Sequence, residues 1–178
     1  MAVKEYELTE LMTKYCDPER FMPFCKQCPD YGRAWSCPPD LPSNDEFLGE
    51  FKRIFVVGLK VVYSDEIRAR AVSAEKAEEI RRKSYGKAKR VLHKTLVALE
   101  REFEGGRTLA AGKCEICSKC ARQSKTPCRF PESSRYSFTA FGFDLALITQ
   151  ELLKFELLWE PDGLPVYDTV VAAFLMRD

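Results

Sequence analysis

The chain has 178 residues, 46% of them hydrophobic and 31% charged, with 28 basic against 27 acidic side chains. That is length enough for one domain with a sizeable core, and a charge near zero supplies no global field to draw the protein to nucleic acid or an anionic membrane. No run of about 18 apolar residues occurs, and the opening Met1 to Tyr6 lacks the charged, apolar, small-residue order of a signal peptide.

A single domain over 1–178 is expected: an N-terminal cysteine-rich segment (1–45), then an α/β core (46–178) with a cysteine loop (112–131) inserted in it. Glu7 to Lys14 suits a short helix. It leads into Cys16, Cys25, Cys28 and Cys37, spaced C-x8-C-x2-C-x8-C within Cys28-Pro29-Asp30-Tyr31-Gly32 and Trp35-Ser36-Cys37-Pro38-Pro39. Proline and glycine there predict tight turns and little regular structure up to about Ser43, so the cysteines are expected on loops. Phe51 to Tyr63 is β-branched and aromatic, the composition of a central strand, with Gly58 marking a bulge or a close approach.

A long helix is predicted next, capped by Ser73 and running to Phe103, with Ala88, Val91, Leu92, Leu96, Leu99 and Phe103 as the stripe facing the sheet. Gly105-Gly106 ends it, and a short strand over Arg107 to Ala111 delivers the chain into Gly112-Lys113-Cys114. After the second cysteine loop, Ser137 is expected to cap a helix to Leu153 with Ala140, Phe141, Leu145, Ile148 and Leu152 inward. Strands follow at Phe155 to Trp159 and Thr169 to Met176, joined through the turn signal Pro161-Asp162-Gly163. The order predicts a mixed α+β sandwich, with a central sheet of about four strands packed by two main helices and the metal loops at one end.

Eight cysteines in a chain expected to be cytoplasmic point to metal before disulfides. Cys114, Cys117, Cys120 and Cys128 read C-x2-C-x2-C-x7-C. Thiols at i, i+3 and i+6 with a distal fourth beside Pro127 suit a [4Fe-4S] cluster, although the ferredoxin run has three intervening residues where this chain has seven. Zinc is the alternative; an all-cysteine zinc site usually gathers two C-x2-C knuckles, and the second group has three close thiols instead. Cys25 and Cys28 form one such knuckle, so the first group leaves iron-sulfur and zinc open, and nothing local directs Cys16 towards the other three. A thioredoxin-type use of Cys25 and Cys28 is opposed by Pro23, Pro29 and Gly32, since that motif follows a strand and opens a helix. Clusters can borrow ligands from each other's motif, so the set of eight is better defined than its division.

His93, the one histidine, is expected to be a solvated side chain on the long helix. Arg81, Arg82, Lys83, Lys87, Lys89, Arg90 and Lys94 form a basic helical surface after Glu75, Glu78 and Glu79, which reads as a solvated face with ion pairs along the helix. The same face would suit an acidic redox partner. Trp35, Tyr31, Phe130 and Phe24 either shield a centre from water or make up loop core.

Cys25-Lys26-Gln27-Cys28-Pro29-Asp30-Tyr31-Gly32-Arg33-Ala34-Trp35-Ser36-Cys37-Pro38-Pro39 resembles a motif of a family of small prokaryotic proteins catalogued only as predicted metal-binding proteins, a domain of unknown function. A second stretch is similar to that family's other signature: Gly112-Lys113-Cys114-x2-Cys117-x2-Cys120, Pro127-Cys128-Arg129-x-Pro131-Glu132 and Ser137-x2-Ala140-x-Gly142-x-Asp144. The resemblance implies metal binding through cysteines and implies no established reaction. Tyr136 stands where a proline is usual in the family and Thr139 where a glutamate is usual, so any role of that glutamate is lost here. The expected function is metal binding, by one or two [4Fe-4S] clusters in an electron-transfer or redox-accessory role with a redox partner protein. The alternative is a structural zinc protein acting as a partner-interaction module.

Overall fold

A computed structural model describes residues 1–177. Four antiparallel strands form one sheet: β1 (Ala2–Glu7), β2 (Arg53–Val62), β3 (Arg107–Leu109) and β4 (Tyr167–Met176), in the order β1-β2-β4-β3. The mixed α/β class expected from the sequence is the one observed. β2 and β4 pair along their whole lengths, from Arg53 opposite Met176 to Val62 opposite Tyr167. Alternation does the sorting in β4, because successive side chains point to opposite faces. Val170, Ala172 and Phe174 meet the helix side, while Val171, Ala173 and Leu175 enter the larger core on the other.

The helix side is covered by α6 (Tyr85–Glu102), whose Leu92 and Leu96 are buried on Val57, Val170 and Phe174. Burying each such leucine contributes about 1.5–3 kcal/mol. Ala88 and Leu99 flank them, whereas Val91 (56% exposed) and Phe103 (46%) lie outside the stripe expected of them. The single long helix is in fact two. After the short α4 (Asp65–Ala69), Ser73 caps α5 (Ala74–Lys83) as predicted, accepting from the Lys76 amide, but Ser84 interrupts the helix. The Ser84 hydroxyl donates to the Ile80 carbonyl at 2.7 Å, a back-bond that bends helices, and Gly86 follows two residues on.

On the opposite face lie α1 (Leu8–Tyr15), α3 (Asn44–Leu48) and the chain from 138 to 153, with Phe138, Phe141, Phe143, Ile148 and Leu152 buried against Leu8, Leu11, Ile54 and Val56. The helix expected from Ser137 to Leu153 is broken into a 3₁₀ turn at Phe138–Phe141, one turn of α-helix, α7 (Leu145–Leu147), and a π turn at Ile148–Leu152. Ser137 makes no cap hydrogen bond; Asp144 is the cap, accepting from the Leu147 amide at 3.0 Å. The break sits at Gly142, where φ is +82° and a β-carbon would come within 2.5 Å of Pro18 Cα. Only glycine admits both that conformation and that approach.

The strand expected at Phe155 to Trp159 is absent; Phe155 packs on the face of the sheet at Gly58 instead of pairing at its edge. Gly58 makes room for it, since a β-carbon there would meet the Phe155 ring at 3.0 Å and Leu153 at 2.6 Å. Gly58 therefore marks a close approach, and Pro161-Asp162-Gly163 joins no hairpin. β1 was not foreseen from the sequence. Among the described residues no helix is long and apolar enough to cross a membrane.

Candidate metal centre

The segment from 16 to 43 is more regular than its prolines suggest. Asp17 accepts from the Arg20 amide at 2.9 Å and Pro18 opens α2 (Pro18–Gln27), so an aspartate cap with proline at the first helical position starts a helix that runs on through Pro23. Cys25 therefore lies in the last turn of a helix, not on a loop, and Cys28 is the residue that closes it, its amide bonded to the Cys25 carbonyl at 3.1 Å. A helix C-terminus disfavours a thiolate. This is the reverse of the thioredoxin arrangement, in which the motif opens a helix.

Tight turns then carry the chain from Cys28 to Cys37: Tyr31 N–H to Cys28 carbonyl, Arg33 to Asp30, Gly32 to Pro38 and Cys37 to Ala34. Cys25, Cys28 and Cys37 are electrostatic neighbours. Burial first, then the negative charges of Asp30, Cys28 and Cys25, push the Cys37 thiol up, and burial followed by Cys28 does the same to Cys25. Cys16 has other company. It ends α1, donates its thiol proton to the Phe141 carbonyl at 3.1 Å and receives the Asn44 amide at 3.3 Å. Burial pushes its pKa up to about 11 despite the Asn44 hydrogen bond.

In the second loop, Cys114 comes five residues after the end of β3, and Cys117, Cys120 and Cys128 are all half-buried free thiols. Burial raises the Cys114 pKa, opposed by hydrogen bonds from the Ile116 amide and the Ser134 hydroxyl to its sulfur; Cys128 and Cys120 lie close enough to raise it further. Among the described residues no three cysteine, histidine or carboxylate side chains converge tightly enough to hold an ion as they stand. Ligation would have to draw the loops in around the metal, a coupling of binding to local folding common in thiolate sites.

The two loops are fastened to each other. Arg122, buried between Cys120 and Cys128, donates from Nη1 to the carbonyl oxygens of Ala34 (3.0 Å), Cys37 (2.8 Å) and Pro39 (3.1 Å), and from Nη2 to Asp40 (2.6 Å). Its guanidinium stacks over Trp35, 4.9 Å from the ring centre, and the Trp35 indole donates to the Thr126 carbonyl at 3.1 Å. Ser36, 1% exposed, accepts the Cys114 amide on its hydroxyl (2.9 Å) and the Ser137 amide on its carbonyl (2.9 Å). Lys113 reaches Asp30 at 2.8 Å. Trp35 thus belongs to the joint, whereas Phe24 (64% exposed) and Phe130 (43%) are not loop core.

Behind the second loop stands an ion pair that sequence reading missed. Arg135 grips Glu100 bidentately (2.7 and 2.6 Å), Glu100 also accepts the Thr108 amide at 2.8 Å, and both side chains are at most 10% exposed. Burial pushes Glu100 up, but the Arg135 and Thr108 hydrogen bonds outweigh it and hold the carboxyl below its ordinary value. His93 is half-buried here, not solvated: its Nε2 lies 2.9 Å from the Ser133 carbonyl, so that nitrogen carries the proton. Together these contacts fix Ser133 to Arg135 and aim the Ser134 hydroxyl at Cys114. Their only sequence signal was an arginine beside the signature that ends at Asp144.

A model of the family described as predicted metal-binding protein (DUF2284) matches residues 12–169, and the chain belongs to that family. No curated protein and no solved structure matches.

Proposed function

We propose that this member of a predicted metal-binding family carries one or two [4Fe-4S] clusters on its cysteine thiolates, in an electron-transfer or redox-accessory role. The observation that carries the reading is the second loop: Cys114, Cys117 and Cys120 at i, i+3 and i+6, with Cys120 and Cys128 near enough to Cys114 to help raise its pKa. Three thiolates from one short loop and a fourth from beyond it is the donor set of such a cluster. The Ile116 amide and the Ser134 hydroxyl act to lower the Cys114 pKa, and hydrogen bonds to a cluster's sulfurs tune its potential. When bound, the cluster would supply one-electron transfer. The chain's own part is to hold the loops: Arg122 and Ser36 fix the backbone, and Trp35 keeps water from the joint between them.

A second centre would rest on Cys25, Cys28 and Cys37, and Cys16 completes that quartet only by giving up its bonds to Phe141 and Asn44. The zinc reading, a structural centre on a partner-binding module, stays open at this loop, where Cys25 and Cys28 supply one of the two knuckles that an all-cysteine zinc site usually gathers. Anaerobic purification followed by iron, sulfide and zinc analysis, visible absorption and paramagnetic resonance separates the two. The cluster reading expects a brown protein with about four iron and four sulfide per loaded loop. A colourless protein with stoichiometric zinc overturns it, and a protein that takes up neither metal overturns both.

A further inference from the structure

Between the bend at Ser84 and the second cysteine loop opens a cleft of about 510 Å³, walled by α5 and α6 on one side and by Lys113 to Cys120 on the other. That volume suits a small-molecule ligand. Five cations face it, Arg33, Arg81, Arg82, Arg90 and Lys113, against the carboxylates of Asp30, Glu78 and Glu115. Most are spoken for: Lys113 by Asp30, Glu115 by Lys89 from outside the cleft, and Arg81 by Asp168 at 3.2 Å, also outside. Arg33 donates to Gln123, a neutral partner. What remains is Arg33, Arg82 and Arg90 facing the lone carboxylate of Glu78. Neither Arg82 nor Arg90 has an ion pair or hydrogen bond among the described residues.

The geometry points to a binding site for a small oxyanion-bearing molecule, phosphorylated or carboxylated, held by Arg82 and Arg90 at the mouth of the second cysteine loop. Guanidinium forks match both oxyanions bidentately, and the two arginines come from separate helices, α5 and α6, that converge only because Ser84 bends the chain. Gly86 helps: a β-carbon there would stand 3.3 Å from the Arg90 Nη1, so its absence lets that guanidinium lie back against the helix and leave the cleft open. Cys117 and Cys120 line the same cleft. A ligand seated on the arginines therefore abuts the thiols on which the metal reading rests. That adjacency deepens the metal reading, while anion binding itself stands on the arginines alone.

The test is titration calorimetry at low ionic strength on the anaerobically purified full chain, with inorganic phosphate in one arm and succinate in the other. Saturable binding of either is expected, and the arm that binds more tightly identifies the oxyanion. Arg82→Gln and Arg90→Gln should each weaken it about tenfold, the loss of one charge-assisted fork, while Lys4→Gln on β1, an equal change of charge far from the cleft, should not. No saturable heat in either arm, or equal weakening by Lys4→Gln, overturns the site. Circular dichroism checks that the arginine variants fold. Metal content is measured on the same samples, so an anion-binding chain without iron or zinc would sink the metal reading and leave the cleft standing.

Discussion

Arg122 lies across the joint between two cysteine loops, its Nη1 2.8 Å from the carbonyl oxygen of Cys37. One residue of the second loop thus holds the main chain of the first. Arg122→Ala would strand three carbonyls, those of Ala34, Cys37 and Pro39, and each buried unpaired group costs about 1–3 kcal/mol. Allowing for water at the rim, a loss of about 3 kcal/mol in chemical denaturation is expected. Metal content should fall at both loops together. A loss confined to one loop would contradict the shared brace.

Ser36→Ala removes the acceptor of the Cys114 amide, and a 3.7 Å contact with the Cys37 sulfur, while leaving all eight cysteines in place. Stability should drop by about 2 kcal/mol, the cost of one unsatisfied buried donor. Metal retention in the presence of a chelator should shorten, whereas Ser36→Thr, which keeps the hydroxyl, should recover much of it.

Glu100→Gln tests the ion pair behind the second loop. With Arg135 left as a buried, poorly compensated charge, about 3 kcal/mol is expected to be lost near neutral pH. The Glu100 carboxyl is held below its ordinary value in the folded chain, so the stability it contributes is complete above about pH 4.5 and is lost as pH falls through the lowered folded value. The difference between wild type and variant in denaturation midpoints should therefore be constant from pH 5 to 7 and shrink below about pH 4.5. A difference unchanged into strong acid would exclude the pair as its source.

Cysteine replacement distinguishes the eight thiols. Cys117→Ser and Cys120→Ser should abolish metal at the second loop, and Cys25→Ser at the first. Cys16→Ser should leave metal content at the wild-type level, because a serine hydroxyl can keep both the Phe141 and the Asn44 hydrogen bonds. Loss of metal from the Cys16 variant would restore that thiol to the ligand set.

Where the chain carries strong local chemistry, sequence reading and structure agree. β2 and β4 are dense in β-branched residues, Ser73 caps α5, and Leu92 and Leu96 repeat at helical spacing onto the sheet. The misses have physical causes. β1 turns only Ala2 and Tyr6 partly inward, too little for its alternation to stand out. Phe155 has the composition of a strand but uses it on the face of β2, over Gly58, and composition does not tell face from edge. Ser84 and Gly142 break helices through contacts with Ile80 and Pro18, and the second of these lies far along the chain. At the site, cysteine spacing marked the candidate ligands, but the grip of Arg122 and Glu100 depends on residues 82 to 88 and 35 positions away, respectively. No local pattern announces a partner at that distance.

Ser36 and Cys114 are 78 positions apart, which bears on how the site is built during translation. Cys25, Cys28 and Cys37 leave the ribosome long before Arg122 and Cys114 exist to brace them. Through that interval they are thiols on a helix end and a few turns, with the second loop still unmade. Any loading of the first loop would thus be timed by the synthesis of the second, and a nascent chain cut short before residue 114 would carry half the cysteines and no fixed place for them.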